Sequence, residues 1–156
     1  MADSNATYTQ IHIQFVFAMK FRDSLIKEDW KEELHKYITG IVQNNNHKLL
    51  VINSMPDHVH ILVGMRPKQS VSDLVMEIKT NSSRFINEKK FLPTRFEWQK
   101  GYGAFSYGKS QVNDVINYIN NQEKHHHKKS FKEEYIEFLT KFDIDFNQEY
   151  IFNDLI

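Results

Sequence analysis

The stretch Pro56-Asp57-His58-Val59-His60-Ile61-Leu62-Val63 decides how the rest of the chain is read. Successive side chains of a β-strand leave opposite faces, so residues two apart share a face. From His58 to Met65 the alternation puts His58, His60 and Leu62 on one side and Val59, Ile61 and Val63 on the other. The second set is an apolar surface suited to a core. Met55-Pro56-Asp57 reads as a tight turn, and Lys48 to Asn53 before it reads as another strand, so the pair forms a hairpin. Two imidazoles on one face are a start for a divalent-metal site. They do not complete one, and a solvent-facing or merely hydrogen-bonded pair fits these residues equally well.

Working outward, Tyr8 to Phe17 alternates, with Ile11, Ile13, Phe15 and Phe17 on one face and His12, Gln14 and Val16 on the other, which predicts a first strand. Residues 27–45 carry Ile26, Trp30, Leu34, Tyr37, Ile38 and Ile41 at helical spacing, with Asn44-Asn45-Asn46 as a stop. Ser70 or Ser72 caps a second helix bearing Val71, Leu74, Val75, Ile78 and Phe85, and Pro93 closes the following loop. Glu97 to Tyr107 is aromatic and Gly-punctuated and reads as short strand pieces. Ser110 is the expected N-cap of a helix over 111–126, and a final helix is expected from about Ser130 to Phe142. The order β-α-β-β-α-β-α plus a C-terminal helix predicts an α+β protein. Its expected form is a ferredoxin-like antiparallel sheet with helices packed on one face. The expected organisation is a flexible N-terminus over 1–7, one domain over 8–142 and an acidic tail over 143–156.

Length and composition agree with one domain. The 156 residues bury roughly two-thirds of their unfolded surface, and 40% hydrophobic with 13% aromatic content predicts a globular fold. No run approaches the roughly 20 apolar residues of a membrane span, and Met1 to Ala6 has no signal-peptide hydrophobic region. The chain has no cysteine, which excludes disulfides and thiolate metal sites and predicts a cytoplasmic protein. Net charge is zero, against the usual expectation for a nucleic-acid protein, but it is unevenly spread. Residues 133–156 hold seven acids against Lys141 alone, whereas 79–100 hold six bases against two acids. A basic face beside an acidic tail is compatible with phosphate binding, as is an ordinary mixed surface.

The helix expected at 111–126 carries the remaining chemistry. At about 100° per residue, Val112, Val115, Ile116 and Ile119 form an apolar face, and Tyr118 and Gln122 lie one turn apart at its edge. Gln122 offers a hard carbonyl oxygen suited to magnesium or manganese. Tyr118 offers a phenol with an ordinary pKa of about 10. An amphipathic rim tyrosine and a solvated glutamine remain the alternative.

Together these segments resemble one family. Pro56-Asp57-His58-Val59-His60-Ile61-Leu62-Val63 is similar to the His-hydrophobic-His motif of the single-tyrosine HUH transposases of the insertion-sequence 200/605 type, which include REP-associated tyrosine transposases. Trp98-Gln99-Lys100-Gly101-Tyr102-Gly103-Ala104-Phe105-Ser106 resembles the strand before that family's catalytic helix. Val115-Ile116-Asn117-Tyr118-Ile119-Asn120-Asn121-Gln122 resembles the helix itself. The resemblance implies that Tyr118 is the nucleophile and that His58, His60 and Gln122 hold Mg2+ or Mn2+. It also implies cleavage and rejoining of single-stranded, hairpin-flanked DNA through a 5′-phosphotyrosine, carried out by a homodimer.

Asp57 then either orients a histidine from behind or simply makes the turn. For phosphate contact the candidates are Lys79, Arg84, Lys89, Lys90, Arg95 and Lys100. Trp98, Tyr102 and Phe105 either stack on unpaired bases or belong to the core. His126, in the run His125-His126-His127, is an alternative ligand to Gln122, or the run is a basic helix end. His12, His35 and His47 read as structural. Three functions fit: an active transposase, a domesticated relative that processes repeats for its host, and a catalytically silent DNA-hairpin-binding protein.

Overall fold

The computed structural model describes residues 6–21, 25–122 and 129–151. Four strands, β1 (His12–Ala18), β2 (Lys48–Met55), β3 (His58–Gly64) and β4 (Gly103–Tyr107), form one sheet in the order β2-β3-β1-β4. Every neighbouring pair is antiparallel. Among the described residues the helices are α1 (Glu28–Asn44), α2 (Val71–Lys89), α3 (Val112–Asn120) and α4 (Phe131–Lys141). The α+β class and the order of elements are those read from the sequence. Among the described residues no helix is long and apolar enough to cross a membrane.

The strands end where their partners end. β1 begins at His12, the residue that meets both Gly64 and Tyr107, so residues 8–11 lie outside the sheet although they continue the alternation. Ser70 caps α2, its hydroxyl accepting from the Asp73 amide at 3.1 Å. Ser110 does not cap α3. The chain enters through a 3-10 turn, Lys109–Gln111, and the Gln111 side chain reaches back to the Gly108 amide, leaving Ser110 inside the turn. The end of the helix expected over 111–126, with His125, His126 and His127, lies outside the described residues.

The helices divide between the faces. α1 and α2, the pair of the ferredoxin-like unit, cover the side bearing Phe15, Phe17, Val59, Ile61 and Val63, where Trp30, Leu34, Ile38, Leu74 and Ile78 complete a buried core. α3 and α4, expected on that same side, cover the other. The reason lies in β2. A register irregularity between Leu49 and Val51 shifts the alternation, so Leu49 pairs with Val63 but Val51 pairs with Leu62. Val51 and Leu62 thus make an apolar patch on the histidine face, and α3 buries Val112, Val115 and Ile119 on it. The chain past Phe142 is not a bare tail either, because Ile151 is buried in the main core.

Candidate active site

Strand parity puts His58 and His60 on the face covered by α3 and α4. Across the sheet they pair with Ala18 and Val16, and Gln14 follows on the same face. Both histidines are fully buried, as are Gln14 and Gln122, and Glu134 is nearly so. A cluster of buried polar groups persists only when its members satisfy one another, and these do. Asp57 Oδ1 lies 2.6 Å from His58 Nδ1. His58 Nε2 is 3.5 Å from Gln122 Oε1 and 3.8 Å from Glu134 Oε1. His60 Nε2 is 3.3 Å from the same Glu134 oxygen, and the Tyr118 hydroxyl donates to Glu134 Oε2. Nitrogens of His58 and His60 and a carboxylate oxygen of Glu134 all lie within 4.8 Å of one another.

α3 is fastened for this purpose. Asn53 Nδ2 donates to the Ile119 carbonyl at 2.8 Å, tying the helix to β2 between Tyr118 and Gln122. α4 closes the site with aromatic side chains. Phe131 stacks on the His58 ring at 4.1 Å between centroids, and Phe138 packs beside His60, Tyr118 and Phe105. Burial pushes the Tyr118 phenol well above the ordinary tyrosine value. The Glu134 carboxylate adds to this by hydrogen bond and charge, and contact with Gln122 opposes it.

This geometry stands beside a family relationship. A family model described as IS200-like transposase matches residues 7–122. The chain belongs to the IS200-like transposase family. It is 27% identical to the ISDra2 transposase TnpA of Deinococcus radiodurans over 75 residues, 48% of this chain and 54% of that protein. The match therefore spans about half the length of that relative. It is 26% identical to the transposase for insertion sequence element IS200 of Salmonella typhimurium over 113 residues, 69% of this chain and 73% of that one. A REP-associated tyrosine transposase solved bound to a REP hairpin shares the fold, with a TM-score of 0.60 and 15% identity over 81% of this chain and 74% of that one.

Of the residues singled out in the sequence, His58, His60, Tyr118, Gln122 and Asp57 come together in the structure. Glu134, which lies beyond the stretch matched by the family model, was missed. Its signal is an acid on the buried side of α4, spaced with Phe131, Tyr135 and Phe138.

The expected DNA contacts on α2 are not brought to the histidines. α2 lies on the opposite face of the sheet. Lys79 donates to the carbonyls of Gln99 at 2.9 Å and Gly101 at 2.5 Å, and burial lowers its ammonium to about 8. It clamps a loop, so its charge is withdrawn from the surface. Phe105 is buried against Phe138 and Phe142 and has no face for a base. Trp98 is half-buried, its indole donating to Ser82 and its ring against Phe17 and Phe96. Arg84, Lys89, Lys90, Arg95, Lys100 and Tyr102 are exposed. His35 and His47 are structural, bonded to Ser54 and to Gln69 and the Arg66 amide.

Proposed function

We propose that this protein cuts and rejoins single-stranded DNA at hairpin-flanked sites through a covalent bond between Tyr118 and a 5′-phosphate, in a centre that takes Mg2+ or Mn2+. The observation that carries the reading is the convergence of His58, His60 and Glu134 within 4.8 Å, with the Tyr118 hydroxyl on the same carboxylate. Two imidazoles, a carboxylate and the Gln122 amide oxygen are a nitrogen-oxygen set without thiolate, which suits these cations. The cation, when bound, supplies stabilisation of the charge that develops on the phosphate.

The chain's own residues do the rest. Tyr118 Oη attacks phosphorus, and its proton passes to Glu134 Oε2, already hydrogen-bonded to it. The bond to the 3′ oxygen breaks and that oxygen takes a proton from solvent, leaving a free 3′-OH and a 5′-phosphotyrosine. A second 3′-OH attacks that link and releases Tyr118, so strands rejoin without an added energy source. Before substrate arrives, burial and Glu134 keep the phenol protonated. Hairpin DNA is the partner, with Arg84, Lys89, Lys90, Arg95 and Lys100 on its phosphates. A homodimer acting in the cytoplasm is the assembly that the family resemblance supports.

The test is a labelled single-stranded hairpin incubated with the protein and Mn2+. A denaturant-resistant protein–DNA adduct is expected from the wild type and none from Tyr118→Phe. No adduct from either, or equal adduct from both, overturns the catalytic reading.

A further inference from the structure

The two histidines are held in opposite senses. An ionised carboxylate only accepts, so Asp57 holds a proton on His58 Nδ1. Behind His60 stands an amide instead. Gln14 Nε2 is 2.8 Å from His60 Nδ1, and Gln14 Oε1 accepts from the Tyr107 hydroxyl at 2.8 Å. An amide nitrogen only donates. His60 Nδ1 is therefore the acceptor, and the ring proton sits on Nε2, where it meets Glu134 Oε1 at 3.3 Å. In that tautomer Nε2 has no lone pair to offer a cation.

One rotation removes the conflict. Turning the Gln14 amide by half a turn exchanges its ends. Oε1 then accepts from Nδ1–H, and Nε2 donates to the Tyr107 oxygen. A phenol accepts as well as it donates, and Tyr107 is half-buried, so its own proton can turn outward. Gln14 is fully buried and its two amide atoms lie between these two partners, so the amide reads one side from the other. As the cation enters, the Nε2 proton is released to solvent by way of Glu134 Oε1, which it already faces, and one is taken up from solvent at Nδ1, so the ring stays neutral.

We propose that Gln14 is the positioning residue that sets the tautomer of His60, and that the chain Tyr107–Gln14–His60 reverses its hydrogen-bond direction when a divalent cation enters. This rests on the reading of His58 and His60 as metal ligands. Partners behind a ligating histidine fix its tautomer and orientation, and their loss typically costs about 10–100-fold in metal affinity.

The test uses the full chain with 15N-labelled histidine, without DNA. Long-range proton–nitrogen spectra of the metal-free wild type should show His58 protonated on Nδ1 and His60 on Nε2. Saturating Mg2+ should move the His60 proton to Nδ1. Gln14→Glu, whose side chain only accepts when ionised, should hold His60 in the Nδ1–H form before Mg2+ is added and bind Mn2+ at least as tightly as wild type. Gln14→Met keeps the volume without polar atoms and should lose about tenfold or more in Mn2+ affinity. A His60 proton on Nδ1 in the metal-free wild type, or unchanged Mn2+ affinity in Gln14→Met, overturns the inference. The wild-type spectra decide even if a variant fails to fold. The outcome is separable from that of the proposed reaction. Tautomer exchange without a DNA adduct keeps this inference and removes the strand transfer, and an adduct without the exchange does the reverse.

Discussion

Glu134 is the residue on which the site's electrostatics turn. Its carboxylate accepts from Tyr118 on one oxygen and faces both histidines with the other. An acid so buried is stabilised only by such partners, and a cation between His58, His60 and Glu134 adds to them. Glu134→Gln keeps the shape and removes the charge. We expect its Mn2+ affinity to fall by at least about tenfold, the lower end of what partners of ligating groups contribute, with the fold intact by circular dichroism. Affinity equal to wild type in a calorimetric titration would remove Glu134 from the cation's shell.

A second residue-scale expectation concerns His35, which burial holds down to about 4, with Lys31 adding to the effect, against an ordinary 6.5. Above pH 6.5 both folded and unfolded chains carry it neutral. As pH falls from 6.5 towards 4 the unfolded chain takes the proton first, so stability is lost across that window. His35→Gln should lessen the acid-induced drop by roughly 1–3 kcal/mol in denaturant unfolding, allowing for partial exposure. An identical pH profile for variant and wild type would refute this. These residues also show why the site was partly legible. His58 and His60 share a face by strand parity, and Tyr118 and Gln122 share an edge by helical spacing, which are local rules. Glu134 meets them only after α4 has crossed the sheet, and nothing local says on which side it lands.

At the scale of elements, the site exists because two helices reach the histidine face, each through one local irregularity. For α3 it is the shift between Leu49 and Val51, invisible in the run Leu49-Leu50-Val51-Ile52 because all four residues are apolar and either parity would read as a strand. For α4 it is Gly103. A Cβ there would sit 2.8 Å from the Tyr135 ring edge and hydroxyl and 3.0 Å from the Phe105 ring. Real side chains do not approach so closely, and Tyr135 is held in the core beside Phe131 and Phe105. The missing methyl therefore sets the distance between α4 and the sheet, and with it the position of Glu134. Gly103→Ala should destabilise the protein by roughly 1–3 kcal/mol, as overpacking does, and should also weaken Mn2+ binding although residue 103 touches no candidate ligand. A variant matching wild type in both chemical denaturation and Mn2+ affinity would show that α4 adjusts freely.

Over the whole molecule the sheet separates the cations of α2 and the loop after it from the histidine cluster. The cations of residues 79–100 lie along the second half of α2 and the loop after it, on the far side from His58 and His60, while the acids of residues 133–137 ride on α4 over the histidines. Arg84 and Arg95 line one groove of about 450 Å³, and Arg95 and Lys90 line another of about 660 Å³. Phosphates neutralised there release counterions, so each contact contributes about one unit to the slope of log affinity against log salt. If hairpin DNA is gripped on this side, Arg84→Ala with Arg95→Ala should weaken hairpin binding and lower that slope by about two, while Mn2+ affinity at the distant centre stays at the wild-type value. Fluorescence anisotropy over a salt series reads the first, and calorimetry the second. Unchanged hairpin affinity would move the DNA to the α4 side, where Glu133 and Glu137 would oppose the phosphates, and would make the bound cation the main source of attraction for the strand.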